Sequence, residues 1–517
     1  MSRLAWVLSI VGPVLIVGWA AWPFGALPGV TAQAIDSSTP DTKPPPTHRP
    51  LGMGGCAAAG CHGAPAAVAL TKGYGPNEPS DWSCSATFWL ASDPHNRAYA
   101  VLKGPLATAI MDRLNRGAPA NPPPLKAFED IRCLACHTNP GLVAAEQIGS
   151  RRADPQLAHL QSDGVSCEAC HGNASGWLHP HANWVAADHQ GDTFDKAGMT
   201  KLYDIGERAL MCAGCHVGAG ADPKRGYPVR DMNHDMIAAG HPRLNFDFAE
   251  YQRRLPPHWH EKDRTVRGAP QRGPDFEARS WLIGRVAHAE AACNLLISRV
   301  SRIKDANDPA PWPEFAESSC VSCHHTIGDD EKRFPPPMPG GDRKPGVPSW
   351  QPIWPITGSV DHTGVEPGTV GPMRKLLQQT NGPMRKLLQQ TEKSRPSPDD
   401  TRNAAEAAVR ILRDVRGSLV GIQEGPKALE AVKDVVRAGL NTPAEPLDWD
   451  RAAQVFQGLA AFERSRGGKD NLVAFVDVQK KLAIRRKVQT PNECTQYMLP
   501  FDVPKETLED LKNLLRN

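Results

Sequence analysis

The stretch Gly164-Val-Ser-Cys167-Glu-Ala-Cys170-His171-Gly172 decides the reading of this chain, because its central pattern recurs. Cys-x-x-Cys-His returns as Cys133-Leu-Ala-Cys136-His137, Cys212-Ala-Gly-Cys215-His216 and Cys320-Val-Ser-Cys323-His324. A further segment, Cys56-Ala-Ala-Ala-Gly-Cys61-His62, keeps the order but has a four-residue spacer. With 13 Cys and 18 His in 517 residues, chance would yield far less than one regular motif. The chemistry behind the pattern is specific. Two thiols at this spacing reach the two vinyl groups of one porphyrin as thioethers, and the following His falls beneath the iron as proximal ligand. A four-residue spacer can bulge outward and still present both sulfurs. Zinc binding and thioredoxin-like redox chemistry also use Cys-x-x-Cys. A zinc ribbon, however, has no need of His after every second Cys, and thioredoxin-like motifs do not recur along one chain. The expectation is five covalently attached haems c. Cys56, Cys61, Cys133, Cys136, Cys167, Cys170, Cys212, Cys215, Cys320 and Cys323 would hold them, with His62, His137, His171, His216 and His324 as proximal ligands. Cys84, Cys293 and Cys494 are left over and read as small buried side chains or, in an oxidising compartment, a disulfide with one Cys remaining.

Distal ligands are sought among the remaining histidines. His95 stands in Asp93-Pro94-His95-Asn96, at the start of an expected helix running to about Arg113. His181 follows the third motif in Trp177-Leu-His-Pro-His181. His234 and His241 are two helical turns apart, but Gly240 and Pro242 interrupt the helix between them. His288 lies inside an expected helix, Arg279–Ser301, flanked by alanines that leave room for a flat ring. These five are the candidate sixth ligands, with His159 a further one, and bis-His ligation is the expectation. His48, His258, His260 and His362 read as surface or loop residues, and His325 points away from the haem of its neighbour His324.

The 49 Pro and 45 Gly beside only 6% aromatic residues describe irregular chain with few large side chains to fill a core. Five macrocycles supply the missing flat apolar groups. A hydrophobic share of 40% against 22% charged residues excludes a disordered chain. A net charge of +3 argues against nucleic acid as a partner. Residues 1–34 hold the uncharged run Leu4–Trp22 and the small-x-small site Ala32-Gln-Ala34, a cleaved signal peptide or an uncleaved membrane anchor; either places residues 35 onward outside the cytoplasm. Residues 35–50 form a Pro-rich tether, and 51–330 carry every motif. Residues 331–398 are a Pro/Gly-rich linker containing a tandem copy, GPMRKLLQQT at Gly371–Thr380 and again at Gly382–Thr391, read as a solvated insertion. Residues 399–517 lack His; apolar residues at helical spacing predict helices Arg402–Arg416, Trp449–Arg464, Asn471–Arg486 and Lys505–Leu515. The fold class is therefore mainly α with much irregular chain: a multihaem cytochrome c domain followed by an α-helical bundle.

GVSCEACHG at 164–172, WLHPH at 177–181 and NHDMIAAGHPRLNF at 233–246 resemble the multihaem cytochromes c of the c554 type. That family includes the tetrahaem electron carrier paired with hydroxylamine oxidoreductase in nitrifiers. The resemblance covers roughly residues 50–330 and implies closely packed, mostly bis-His haems working as an electron conduit. A fifth motif, the long spacer at Cys56/Cys61 and the His-free helical region depart from the family. The expected function is an exported electron carrier serving redox partner proteins, other cytochromes or a membrane quinone-linked complex. The alternative is a multihaem oxidoreductase with one open iron acting on a small nitrogen or sulfur compound.

Overall fold

The computed structural model describes residues 48–65, 81–116, 123–142, 155–184, 192–255, 275–303, 312–317, 372–391, 393, 396–421, 433, 436, 449–467, 472–482 and 505–516. These residues are mainly helical with long irregular connections. Among them the only β pairing is two isolated antiparallel bridges, Ala219 with Arg230 and Asp222 with Tyr227. No helix among the described residues is long and apolar enough to cross a membrane, and Leu4–Trp22 lies outside them.

Helices carry the second, third and fourth motifs, and aspartates start several helices. After α1 (Ser85–Ser92), the expected helix from His95 to Arg113 is broken. It becomes single 3-10 turns at Pro94–Arg97 and Ala100–Lys103 followed by α2 (Pro105–Leu114). The break is local chemistry: Gly104 takes an extended conformation, and Pro105, having no N–H to offer, suits a first helical position. In α3 (Ile131–His137) the Asp130 carboxylate accepts the Arg132 N–H at 2.9 Å, so Cys133, Cys136 and His137 fall on one helical face. α4 (Cys167–His171) is a single turn ended by Gly172 at φ +88°. α5 (Thr193–Ala197) precedes α6 (Ile205–His216), where Asp204 accepts from Gly206 and Glu207 and the last turn holds Cys212, Cys215 and His216. α7 (His234–Ala238) stops before Gly240, whose φ of +106° turns the chain, so His241 leaves the helix as expected. α8 (Phe248–Arg254) is capped by Asp247.

The central element is α9 (Phe276–Ser301), three residues longer at its start than the alanine-rich pattern predicted. It is buried almost all round, including Arg279, Arg285, His288, Glu290 and Arg299. α6, α8, α12 (Pro398–Gly421) and α13 (Trp449–Ser465) pack against it. Ala405, Ala408, Val409, Leu412 and Val415 of α12 are buried, as the helical spacing requires. α14 (Leu472–Lys481) and α15 (Lys505–Arg516) pack together. The tandem copies form α10 (Pro372–Gln379) and α11 (Asn381–Thr391). They are not a solvated insertion: Leu377, Met384 and Leu387 are buried in the core against α12. The repeated Leu-Leu pair supplies an apolar stripe that a polar-looking decapeptide conceals. One core thus joins Ile205, Phe246, Phe248 and Trp281 to Met384, Leu412, Phe456 and Leu511. A second, smaller cluster of Leu102, Ala107, Met111, Ala127, Leu134 and Met236 surrounds Cys133. Cys84 and Cys293 are buried; Cys494 lies outside the described residues.

Candidate metal centres

At the first motif the four-residue spacer folds differently from the two-residue ones. In α3, α4 and α6 a single turn closes each motif. At Cys56–His62 the amide of His62 donates to the carbonyl of Cys56 at 3.3 Å, and Cys61 N–H reaches Ala58 O at 2.8 Å. The loop closes across the extra residues, which bulge outward.

The fold brings motifs together in sequence. The thiols of Cys56 and Cys167 are in hydrogen-bond contact, as are those of Cys136 and Cys215. Cys170 lies within electrostatic reach of Cys212 and Cys215. The first motif therefore adjoins the third, the third the fourth, and the fourth the second. Arg230 borders the last contact, its Nη1 lying 3.8 Å from Cys215 Sγ. A cavity of about 660 Å³ lies beside the second motif, where Ile131, Met236 and Ala239 meet Arg113, Arg116 and Arg132. Its lining also carries the carboxylates of Asp231 and Asp235.

Histidines meet in pairs across these motifs. The ring centres of His62 and His181 are 6.2 Å apart and nearly parallel. Those of His95 and His216 are 6.1 Å apart, and those of His137 and His241 6.3 Å apart, both nearly perpendicular. Two imidazoles on opposite sides of one metal, each bonded at about 2 Å, place their ring centres about 6 Å apart. Each pair joins a proximal His of a motif to a candidate distal His, so the residues fit an iron held between two imidazoles.

The outer nitrogens support the same assignment. His137 Nδ1 donates to Ala98 O at 2.8 Å, His181 Nδ1 to Leu178 O at 2.6 Å and His241 Nδ1 to Pro242 O at 2.8 Å. A carbonyl only accepts, so in each ring Nδ1 carries the proton and Nε2 keeps its lone pair for a metal. His95 Nδ1 lies 2.8 Å from the Asp93 carboxylate. His62 Nδ1 meets the Ser85 hydroxyl at 3.2 Å. Burial, with His95 and His137 nearby, pushes His216 down to about 4. Burial also brings His241 to about 4 and lowers His137, keeping these imidazoles neutral as ligation requires. For His95 burial works the other way from Asp93, and the carboxylate prevails, raising it.

The other predicted ligands stand apart from these pairs. The His171 ring faces Trp177 at 6.5 Å. His234 is edge-on to Phe315 at 5.5 Å, and its backbone N–H donates to Glu314, on the chain leading to the fifth motif. His288 contacts Phe246 at 5.8 Å, and its buried Nδ1 has no hydrogen-bond partner among the described residues. His159 is exposed. Cys320, Cys323 and His324 lie outside the described residues. Asp93, Trp177 and Phe246 were not foreseen as part of these centres; only Asp93, two residues before His95 across a proline, left a readable sign.

No curated protein and no solved structure matches the chain. Residues 85–172, which carry the second and third motifs together with His95, match the family model of cytochrome c554 and c-prime. That match supports a cytochrome c family, and with it covalently bound haem c and a role in electron transfer.

Proposed function

We propose that this chain is an exported pentahaem cytochrome c that relays electrons between redox partner proteins. The observation that carries the reading is the set of three imidazole pairs 6.1 to 6.3 Å apart, each combining a motif His with a distant one. Each bound haem would supply one-electron storage. The residues of segment 51–330 do the rest. Cys56/Cys61, Cys133/Cys136, Cys167/Cys170, Cys212/Cys215 and Cys320/Cys323 would hold the haems covalently, and His62, His137, His171, His216 and His324 would be their motif-borne ligands. His181, His241 and His95 complete the first, second and fourth centres, while His234 and His288 are ligands for centres near α9. Two neutral imidazoles per iron favour fixed geometry in both oxidation states, as a carrier needs. The contacts of Cys56 with Cys167 and of Cys136 with Cys215 support closely spaced centres. Residues 399–517 are proposed to brace α9 without binding haem.

Electronic absorption and EPR spectra of the oxidised full-length protein test the proposal. Five low-spin irons are expected. A high-spin signal from about one iron in five would replace it with the open-iron oxidoreductase. Intact mass gives the haem count, and a mass with four haems would remove Cys56/Cys61 from the set.

A further inference from the structure

Arg285 lies in the middle of α9 and is only 2% exposed. One of its amino groups donates to the carbonyl of Phe246. Its Nε and Nη1 are buried without a hydrogen-bond partner among the described residues. A buried guanidinium left in this state costs several kcal/mol, so a native structure supplies an acceptor. The protein offers little. Asp247 is near enough to act on Arg285 electrostatically; its Oδ1 accepts the Glu250 N–H at 2.8 Å, and its Oδ2, buried and itself unpartnered, forms no ion pair with Arg285 among the described residues. Tyr251, the other group acting on Arg285, is a weak acceptor. Arg285 is held at about 10 by burial and so remains a cation at neutral pH. Phe246 engages Nη2, so each edge of the rigid fork pairs that nitrogen with one further donor, Nε or Nη1, toward which a carboxylate can be drawn.

The surroundings indicate where that carboxylate comes from. His288 lies one turn along the same helix, and its ring packs on Phe246. Phe246 in turn stacks near His216 at 6.5 Å, and Tyr251 meets His216 at 4.8 Å. Arg285 thus adjoins His288, and Phe246 and Tyr251 link it to His216. We propose that Arg285 binds a propionate carboxylate of a haem ligated at this point, either that of His288 or that of His216, and thereby raises its midpoint potential. The proposal rests on the haem-ligand reading of these two histidines. The guanidinium offsets the negative charge of the carboxylate, which would otherwise stabilise the ferric iron.

Redox titration of the holoprotein tests it. Arg285→Gln should lower one midpoint by a tenfold change in the ferric-to-ferrous ratio, about 59 mV for one electron, leaving the others and the haem content unchanged. Arg285→Lys, which keeps the charge, should return most of that shift; a purely packing role would not discriminate the two in potential. His288→Met marks its own haem, since Met ligation raises the potential. In that background the Arg285→Gln shift falls on the marked midpoint if the carboxylate belongs to the His288 haem, and on an unmarked one if to that of His216. Unchanged midpoints in Arg285→Gln overturn the proposal even with all five haems low-spin. If His288→Met alters neither spectra nor midpoints, the ligand reading of His288 fails instead, and a shift in Arg285→Gln then assigns the carboxylate to the His216 haem.

Discussion

Asp93 shows how much of a proposed metal centre can rest on one carboxylate. It accepts the backbone N–H of His95 at 2.9 Å and the ring Nδ1 at 2.8 Å, so it sets both the position and the basicity of one imidazole. A more basic ligand stabilises ferric iron, and replacing the charge with an amide removes that bias while leaving the backbone hydrogen bond. Asp93→Asn is therefore expected to raise a single midpoint by up to about 60 mV, a tenfold change in its redox equilibrium. Spectropotentiometry of the variant beside the parent protein reads this directly, and midpoints that coincide would sink the role given to Asp93. At this scale the motifs were legible because thioether attachment would demand a short, contiguous pattern, and the proximal roles remain the proposed ones. The distal partners were legible only as candidates. His62 and His181, His95 and His216, and His137 and His241 are each more than a hundred residues apart, and no local pattern records which two rings will face one another.

The elements follow from periodicity where one face is apolar, and depart from it where backbone chemistry intervenes. α12 and α13 lie where helical spacing put them, because alanine, valine, leucine and phenylalanine at that period have only one stable arrangement against α9. The helix expected across residues 95–113 failed at Gly104-Pro105, a break stronger than the surrounding propensity. The duplicated decapeptide misled for another reason: its two leucines occupy a narrow stripe amid Arg, Lys and Gln, and burial of that stripe is decided by α12 rather than by the copies. In α8, Glu250 faces Arg253 and Arg254 one turn on, at 2.8 and 2.6 Å. Burial alone would raise its carboxyl, but Arg253 and then Arg254 outweigh this and hold it at about 2. A carboxyl depressed in the folded state adds stability above its unfolded value, near about 4.3, and loses that contribution as the pH falls toward 2. Because both arginines are partly exposed, Glu250→Gln should cost about 2 kcal/mol at neutral pH. Urea unfolding over a pH series should show the gap to the parent protein closing below about pH 4.5; a gap constant down to pH 2.5 would contradict the assignment.

On the scale of the whole molecule, the His-free C-terminal helices share a core with the motif-bearing chain, and one buried charge pair spans the contact. Glu290 of α9 is 1% exposed and receives Arg416 Nε at 2.8 Å, while Arg416 Nη1 also reaches Glu207 of α6 at 2.9 Å. Arg413 stands farther off, at 3.4 Å. Such a pair is invisible in sequence, since its members lie on helices far apart in the chain and resemble ordinary surface charges. Its worth is asymmetric. A buried pair as such adds little, because desolvation offsets attraction, but removing one partner strands the other. Arg416→Met should thus destabilise the holoprotein by about 3 kcal/mol, lessened where Arg413 moves closer. Glu290→Gln combined with Arg416→Met should cost less than the two single changes together, because the stranded charge is gone. Denaturant unfolding of the four proteins forms the cycle. Strict additivity would mean that Glu290 and Arg416 act independently, and that the two regions are held by apolar packing alone. Haem content should stay at its parent value, since neither side chain is among the proposed haem ligands.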